Sequence, residues 1–186
     1  MTDAREQWNG IWGARAHPTV EPDPWIEEIA SLLPDRGRAI DLAGGAGRHA
    51  VWLAARGLNV TLVDISEAAL TLARDAADAR GLTLTCMPAD LEADGPPPGR
   101  WDVAVIAHFL HRPLLEQVDR LLEPGGKLVV VHPTRTNLER HPKPSARFLL
   151  EDDELRTLLP SSLHLERYEE GWTDAGVHHA RLVAQR

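Results

Sequence analysis

Apolar residues along this chain come in short blocks that switch between the two-residue period of strands and the three-to-four-residue period of helices. Pro24 to Leu33 has helical spacing, with a proline near its start and Pro34 to stop it. Arg38 to Asp41 reads as a short strand ending in an acid. A turn of small residues follows, and then an apolar-periodic helix, Val51 to Ala55, closed by Gly57. Asn59 to Asp64 is the second strand. Ser66 caps a helix whose inner face is Ala69, Leu70, Ala73 and Ala77 and which ends near Gly81. Leu82 to Met87 alternates as a third strand, with Cys86 on the face of Leu82 and Leu84 as a buried structural thiol. Gly95 to Gly99 is a stiff proline turn. The nearly uninterrupted apolar run Asp102 to Ala107 predicts a central parallel strand. A helix is expected over Leu114 to Leu122, stopped by Pro124-Gly125-Gly126, with a fifth strand over Lys127 to His132.

Strands alternating with helices imply right-handed crossovers and an α/β fold on a doubly wound, mostly parallel sheet. Beyond His132 the pattern changes. A polar, proline-bearing loop spans Thr134 to Ser145, a short helix Glu151 to Leu159, and strand-like segments His164 to Glu170 and Val177 to Ala184. A chain of 186 residues suits one domain, 1–186, with a sizeable core. Residues 1–24 form an arm: Trp8 and Trp12, and Trp25 just beyond, are interleaved with Pro18, Pro22 and Pro24. It is too short and broken to build its own core. Its indoles either anchor it to the domain or close it as a lid over a pocket.

Chemistry concentrates at Arg38 to His49. Strand, glycine turn and helix bring backbone close to a ligand, because Gly45 and Gly47 leave no side chain in the way and the helix start offers free N–H groups. Two ligands could use it. Gly45 to Ala50 fits the dinucleotide fingerprint, with Asp64 at about the interval a ribose-binding acid needs. Asp41 at the strand tip argues otherwise: a carboxylate there repels a pyrophosphate but suits a sulfonium ligand that also carries an amino group.

The run Asp41-Leu42-Ala43-Gly44-Gly45-Ala46-Gly47-Arg48 resembles the D-x-G-x-G-x-G signature of class I S-adenosylmethionine-dependent methyltransferases, and the segments LVDIS, PADLEA, WDVAVIAHFL and LLEPGGKLVVV fall where that family has theirs. The tryptophan-rich start and His111-Arg112-Pro113 look like the tellurite-resistance and thiopurine-type branch. The resemblance implies a single seven-stranded Rossmann-like sheet with a C-terminal antiparallel hairpin. It implies S-adenosylmethionine as methyl donor, with S-adenosylhomocysteine as product. Asp41, Ala43, Gly45, Gly47, Arg48, Asp64, Ile65, Asp90, Leu91 and Ala107 are then the cofactor-binding residues, Asp90 on the adenine amino group and Leu91 against the ring. Ala43 stands where the family has its first glycine, and alanine fits there if its φ is negative. Base-modifying amino-methyltransferases carry Asn or Asp, two prolines and an aromatic after the fourth strand. Here the sequence is Ala107-His108-Phe109-Leu110, which argues against exocyclic base amines as acceptors.

The expected function is in-line methyl transfer to a small molecule. The alternatives are a nicotinamide-dependent oxidoreductase and a cofactor-binding module without turnover. The formal charge of −8 argues against a nucleic-acid phosphate track. No signal core or bilayer-length apolar run is seen, so a cytoplasmic setting and no membrane partner are expected. Oligomeric state is left open. A lone cysteine supports no thiolate zinc site, and adjacent His178 and His179 must point to opposite faces of a strand, so no metal is expected. His108 follows the fourth strand directly and is either a base or acceptor-positioning group, or a packed imidazole. His132 ends the fifth strand at the edge of the same cleft and is the second catalytic candidate. His17, His141 and His164 are expected at the surface. Arg135, Arg140, Lys143 and Arg147 make the long loop basic, either for an acidic acceptor or as a solvated surface.

Overall fold

The β-branched and leucine-rich blocks pair into one seven-stranded sheet in a computed structural model that describes residues 4–15, 19 and 21–186. The strands are β1 (Arg38–Leu42), β2 (Asn59–Asp64), β3 (Leu84–Pro88), β4 (Trp101–Ala107), β5 (Leu122–Pro133), β6 (His164–Trp172) and β7 (His178–Gln185). Their order across the sheet is β3-β2-β1-β4-β5-β7-β6. β1 to β5 run parallel, β7 pairs antiparallel with β5, and β6 antiparallel with β7. This is the sheet and terminal hairpin the resemblance implied.

Alternation within β4 shows why the central strands carry no polar face. Val103, Val105 and Ala107 pack with Val60, Leu62, Val129 and Val131 beneath α2 (Pro24–Glu28), α3 (Arg48–Ala55) and α4 (Glu67–Asp78). Ala104 and Ile106 face the other way and meet Ile40, Leu128 and Val130, covered by Leu114, Leu115, Val118 and Leu155. Each large side chain so buried contributes roughly 1.5–3 kcal/mol, so both faces of the sheet are paid for by apolar contact.

Local chemistry sets the element ends. The Asp23 side chain accepts the N–H of Trp25 and starts α2 ahead of its proline; the chain then continues as a 3₁₀ turn, Ala30–Leu32. The Ser66 hydroxyl accepts the Ala69 N–H and caps α4. The helix expected over Leu114 to Leu122 is instead α5 (Arg112–Leu115, opened by His111) and a separate 3₁₀ turn, Val118–Leu121. Gln117, extended in φ at −129°, separates them, and Leu114, Leu115, Val118, Leu121 and Leu122 are still all buried. Burial of the apolar positions, not helical continuity, is what the segment satisfies. Strand β5 begins earlier than expected because Pro124-Gly125-Gly126 is absorbed as an irregularity between the pairs Trp101↔Leu122 and Val103↔Lys127. α6 (Glu154–Leu158) is shorter than expected, and α1 (Ala4–Gly13) gives the arm a helix none of whose residues is buried. Pro18 and His17 lie outside the described residues.

Gly47 packs helix on helix. Its φ is +77°, and a Cβ there would come within 2.8 Å of the Cβ of Ala73 on α4. Left-handed strain and overpacking together put the expected loss for Gly47→Ala at about 2–4 kcal/mol, read as a lowered urea midpoint with unchanged slope.

Candidate functional site

At the C-terminal ends of β1, β2 and β4, where a parallel sheet leaves a crevice, lies a cavity of about 480 Å³. The glycine turn supplies Ala43, Gly44, Gly45, Ala46 and Arg48. The end of β2 supplies Asp64 and Ile65, the loop after β3 supplies Ala89, Asp90, Leu91 and Glu92, and the tip of β4 supplies Ala107, His108 and Phe109. Of the expected cofactor residues, all but Asp41 and Gly47 line this cavity. Trp8, Trp12 and Arg15 close it from the arm.

Asp64 is the brace. One of its carboxylate oxygens accepts the Gly45 N–H at 2.8 Å and the other the Ser66 N–H at 2.9 Å. Each oxygen keeps a lone pair for a ligand hydroxyl. Burial pushes this carboxyl above its ordinary range, against the pull of those N–H groups. Asp90 caps its own turn through one oxygen, Oδ1, which accepts from Glu92 and Ala93 N–H, and its second oxygen is unspent. A Cβ on Gly45 (φ +57°) would meet the Trp12 ring at 2.5 Å, so backbone and indole approach here as only glycine permits.

Two placements differ from the expectations. The Asp41 carboxylate does not face the cavity. It is fully buried beneath the turn, where Oδ2 accepts the Ala50 N–H at 3.1 Å and Oδ1 has no partner. Gly47 offers α3 no capping side chain, so Asp41 satisfies the third N–H of the helix from the strand below. It therefore shapes the turn, and the argument that it greets a cationic ligand does not hold. Ala43 has φ +55°, not the negative φ that alanine would prefer. The turn imposes that strain, of order 1 kcal/mol, because Ala43 sits between buried Leu42 and the crevice.

His108 also has positive φ, +59°, held by its N–H to Val131 carbonyl bond of 2.8 Å. Strain of this kind collects at functional sites. Its ring packs edge-on to His179 of β7, with centroids 5.2 Å apart. Protein atoms crowding the ring press its pKa down, with repulsion from His179, Arg48 and His132 adding to this. The residue is nonetheless exposed, so solvent contact opposes this downward shift. His132, the other catalytic candidate, is buried and lines no cavity described here. Its Nε2–H donates to the Phe148 carbonyl at 2.8 Å, so its role in the fold is to pin the long loop to β5. His141, expected at the surface, is half-buried and donates to the Gly176 carbonyl.

Sequence reasoning missed His49 and His179. His49 lines the cavity and accepts the Asp23 N–H at 3.3 Å; only the fold brings Asp23 over it. His179 was legible as a strand residue, but nothing in the sequence showed which face meets His108. Among the described residues one trio, Asp152, Glu170 and His178, holds ligand-type atoms within 4.8 Å of each other. Thr136 already donates to Asp152, and Thr134 shares a hydrogen bond with His178, so the trio reads as a polar clasp between loop and β7.

Sheet order, crevice and glycine turn together define a Rossmann-like α/β domain built to hold a nucleoside-type ligand at the ends of its parallel strands. Residues 39–126 match the family described as methyltransferase domain. The chain is 36% identical over 133 residues to a demethylmenaquinone methyltransferase of Thermus thermophilus and 29% identical over 152 residues to a ubiquinone biosynthesis O-methyltransferase of Pseudomonas aeruginosa. Those matches take in 67% and 75% of this chain but only 57% and 60% of the relatives, so the chain spans less than two thirds of their length. TehB from Haemophilus influenzae superposes with a TM-score of 0.74 at 16% identity, over 98% of this chain and 66% of that one, which is a likeness of fold. Residues 39–126 are thus similar to a methyltransferase domain, and the chain as a whole resembles S-adenosylmethionine-dependent methyltransferases. No helix among the described residues is long and apolar enough to cross a membrane.

Burial raises the Asp41 pKa from 3.8 to about 7, with the nearby Asp64 charge adding to it and the Ala50 N–H and Arg48 opposing. The folded chain thus keeps a proton that the unfolded chain releases near pH 4. This stabilisation is full in acid and is lost as pH rises toward about 7. Asp41→Asn mimics the protonated acid and keeps the bond to Ala50. It should raise the denaturation midpoint at pH 8 and leave it nearly unchanged at pH 4. An equal effect at both values would show that the charge is not what burial opposes.

Proposed function

We propose that this chain transfers the methyl group of S-adenosylmethionine to a small molecule seated beside the cofactor cavity, at His108. The observation that carries this reading is that His108, strained at the tip of β4, lines both the 480 Å³ cavity and a second one of about 340 Å³. A donor in the first and an acceptor in the second would meet at that side chain.

The residues fit the donor. In this reading Asp64 accepts from the ribose hydroxyls. The free oxygen of Asp90 takes the adenine amino group while Leu91 and Ile65 cover the ring faces. Arg48, at the start of α3, meets the carboxylate. When bound, S-adenosylmethionine supplies a sulfonium methyl whose carbon–sulfur bond breaks, its electron pair staying on sulfur, as the bond to the acceptor forms. The protein's own part is to align the acceptor and exclude water. His108, held neutral, can accept a proton from the acceptor, but its depressed pKa makes it a weak base suited to an acidic proton or to positioning alone. The arm acts as a lid: the Asn9 side chain accepts from the Ser66 hydroxyl at 2.9 Å and the Ala68 N–H at 3.2 Å, setting Trp8 and Trp12 over the cavity. The whole folds and works as one domain, in the cytoplasm.

A nicotinamide enzyme would use the same turn, and calorimetry separates the two. S-adenosylhomocysteine should bind and NAD should not. Binding should also quench tryptophan fluorescence through Trp8 and Trp12, and Trp12→Ala should lose most of the quench. Tight NAD binding, or S-adenosylhomocysteine binding without change in the indoles, would overturn the donor site or the lid respectively. His108→Ala should slow transfer to an acceptor that keeps its proton by about 10²–10⁴-fold and leave an already ionised acceptor nearly unaffected.

A further inference from the structure

The long loop after β5 carries four cations, and the fold disposes of three of them elsewhere. Arg135 pairs with Glu151, Arg140 lies 3.7 Å over the Trp172 ring, and Arg147 lies over Phe148. Lys143 is left. It lines the second cavity and has no ion-pair partner among the described residues. The other polar groups there are His108, Asn137, His141 and His179. Among the described residues the lining holds no carboxylate, in a chain whose formal charge is −8.

Two of those groups bear on what the cavity can hold. His179 is 6% exposed and its buried Nδ1 makes no hydrogen bond. Asn137 spends its oxygen on the His178 N–H at 3.2 Å, so it has only N–H donors to offer. Pro133, Pro144 and Val177 complete the wall with apolar surface. Size then decides the kind of anion. At about 30 Å³ per water, 340 Å³ holds roughly eleven waters, and an inorganic oxyanion of a few atoms would leave most of the cavity and all its apolar wall unused.

We infer that the second cavity binds a small organic carboxylic acid as methyl acceptor, its carboxylate at Lys143 and Asn137, its body along the proline and valine wall, and its nucleophilic atom at His108. This rests on the first cavity being the donor's. Such an acid is drawn toward the ammonium, and the absence of lining carboxylates leaves nothing to repel it.

The test is calorimetry on the full chain saturated with S-adenosylhomocysteine, using benzoate, its neutral isostere benzamide, and inorganic sulfate as probes. Benzoate should bind at least tenfold more tightly than either of the others. Lys143→Met, a change at an exposed position, should abolish the preference for benzoate over benzamide while S-adenosylhomocysteine affinity stays as it was. Equal binding of benzoate and benzamide, sulfate binding as tight as benzoate, or a preference that survives Lys143→Met would each overturn the inference. So would a chain that binds S-adenosylhomocysteine but no benzoate. A chain that fails to bind S-adenosylhomocysteine fails at the donor site instead, which the first titration shows before any probe is added.

Discussion

The Asp64 carboxylate ties together parts of the chain that share no secondary structure. Through Gly45 N–H it fixes the turn after β1, and through Ser66 N–H it fixes the start of α4. Ser66 in turn caps α4 with its oxygen and donates to Asn9 of the arm. One buried acid thus positions floor, wall and cover of the larger cavity. A charge-assisted N–H bond is worth about twice a neutral one, and a short strand end alone could not hold three loops in register. The cost is a carboxylate kept out of water, visible in its raised pKa.

Throughout the site burial weighs against charge. Burial raises Asp41 and Asp64 and lowers His49, His108, His132 and His179. The signs are opposite but the cause is shared, since desolvation favours whichever form is neutral. The consequences for stability oppose each other as well. The raised acids lose their contribution as pH climbs from about 4, in the case of Asp41 toward about 7. The lowered imidazoles lose theirs as pH falls below about 6.5 toward their folded values, because the unfolded chain then takes up protons that the fold refuses. A crevice of this kind holds a polar ligand without being flooded by the charges that bind it.

Much of the fold was legible because the sequence repeats the same physical instruction. β4 and β5 are apolar on both faces, so they had to be central, and polar, proline-bearing Thr134 to Ser145 had to leave the sheet. What failed to show was local compromise. Nothing in Leu114 to Leu122 announces that Gln117 interrupts its helix, since the helical apolar spacing is satisfied equally well by two short turns. Asp41 was read by its type and its place at a strand end, and those do not say whether a side chain points over the turn or under it. Gly44 decides that: it is bare because the Asp41 carboxylate and Leu62 occupy the space a Cβ would need. The likeness to methyltransferases survives the loss of that argument because it rests on the order of the whole sheet and on the matched segment. The places of His179 and His141 are not legible in the sequence for another reason. They come from the terminal hairpin and the long loop, and their meeting with β4 is set by the antiparallel insertion of β7 beside β5, far away in sequence.

That insertion is also what makes a second cavity. Were β5 the sheet edge, its C-terminal end and the tip of β4 would open to solvent. β7 instead pairs along β5 up to Pro133↔His179, which places an imidazole beside the β4 tip. The His141 bond to the Gly176 carbonyl then folds the long loop back over the gap. The strained backbone of His108 follows from the same arrangement. Its N–H is committed to the Val131 carbonyl of β5, so the chain must turn at that residue to free Phe109 for the larger cavity. The side chain that lines both cavities is therefore the one the sheet forces into a left-handed turn. The parallel half builds the larger cavity, and the antiparallel hairpin walls the smaller one.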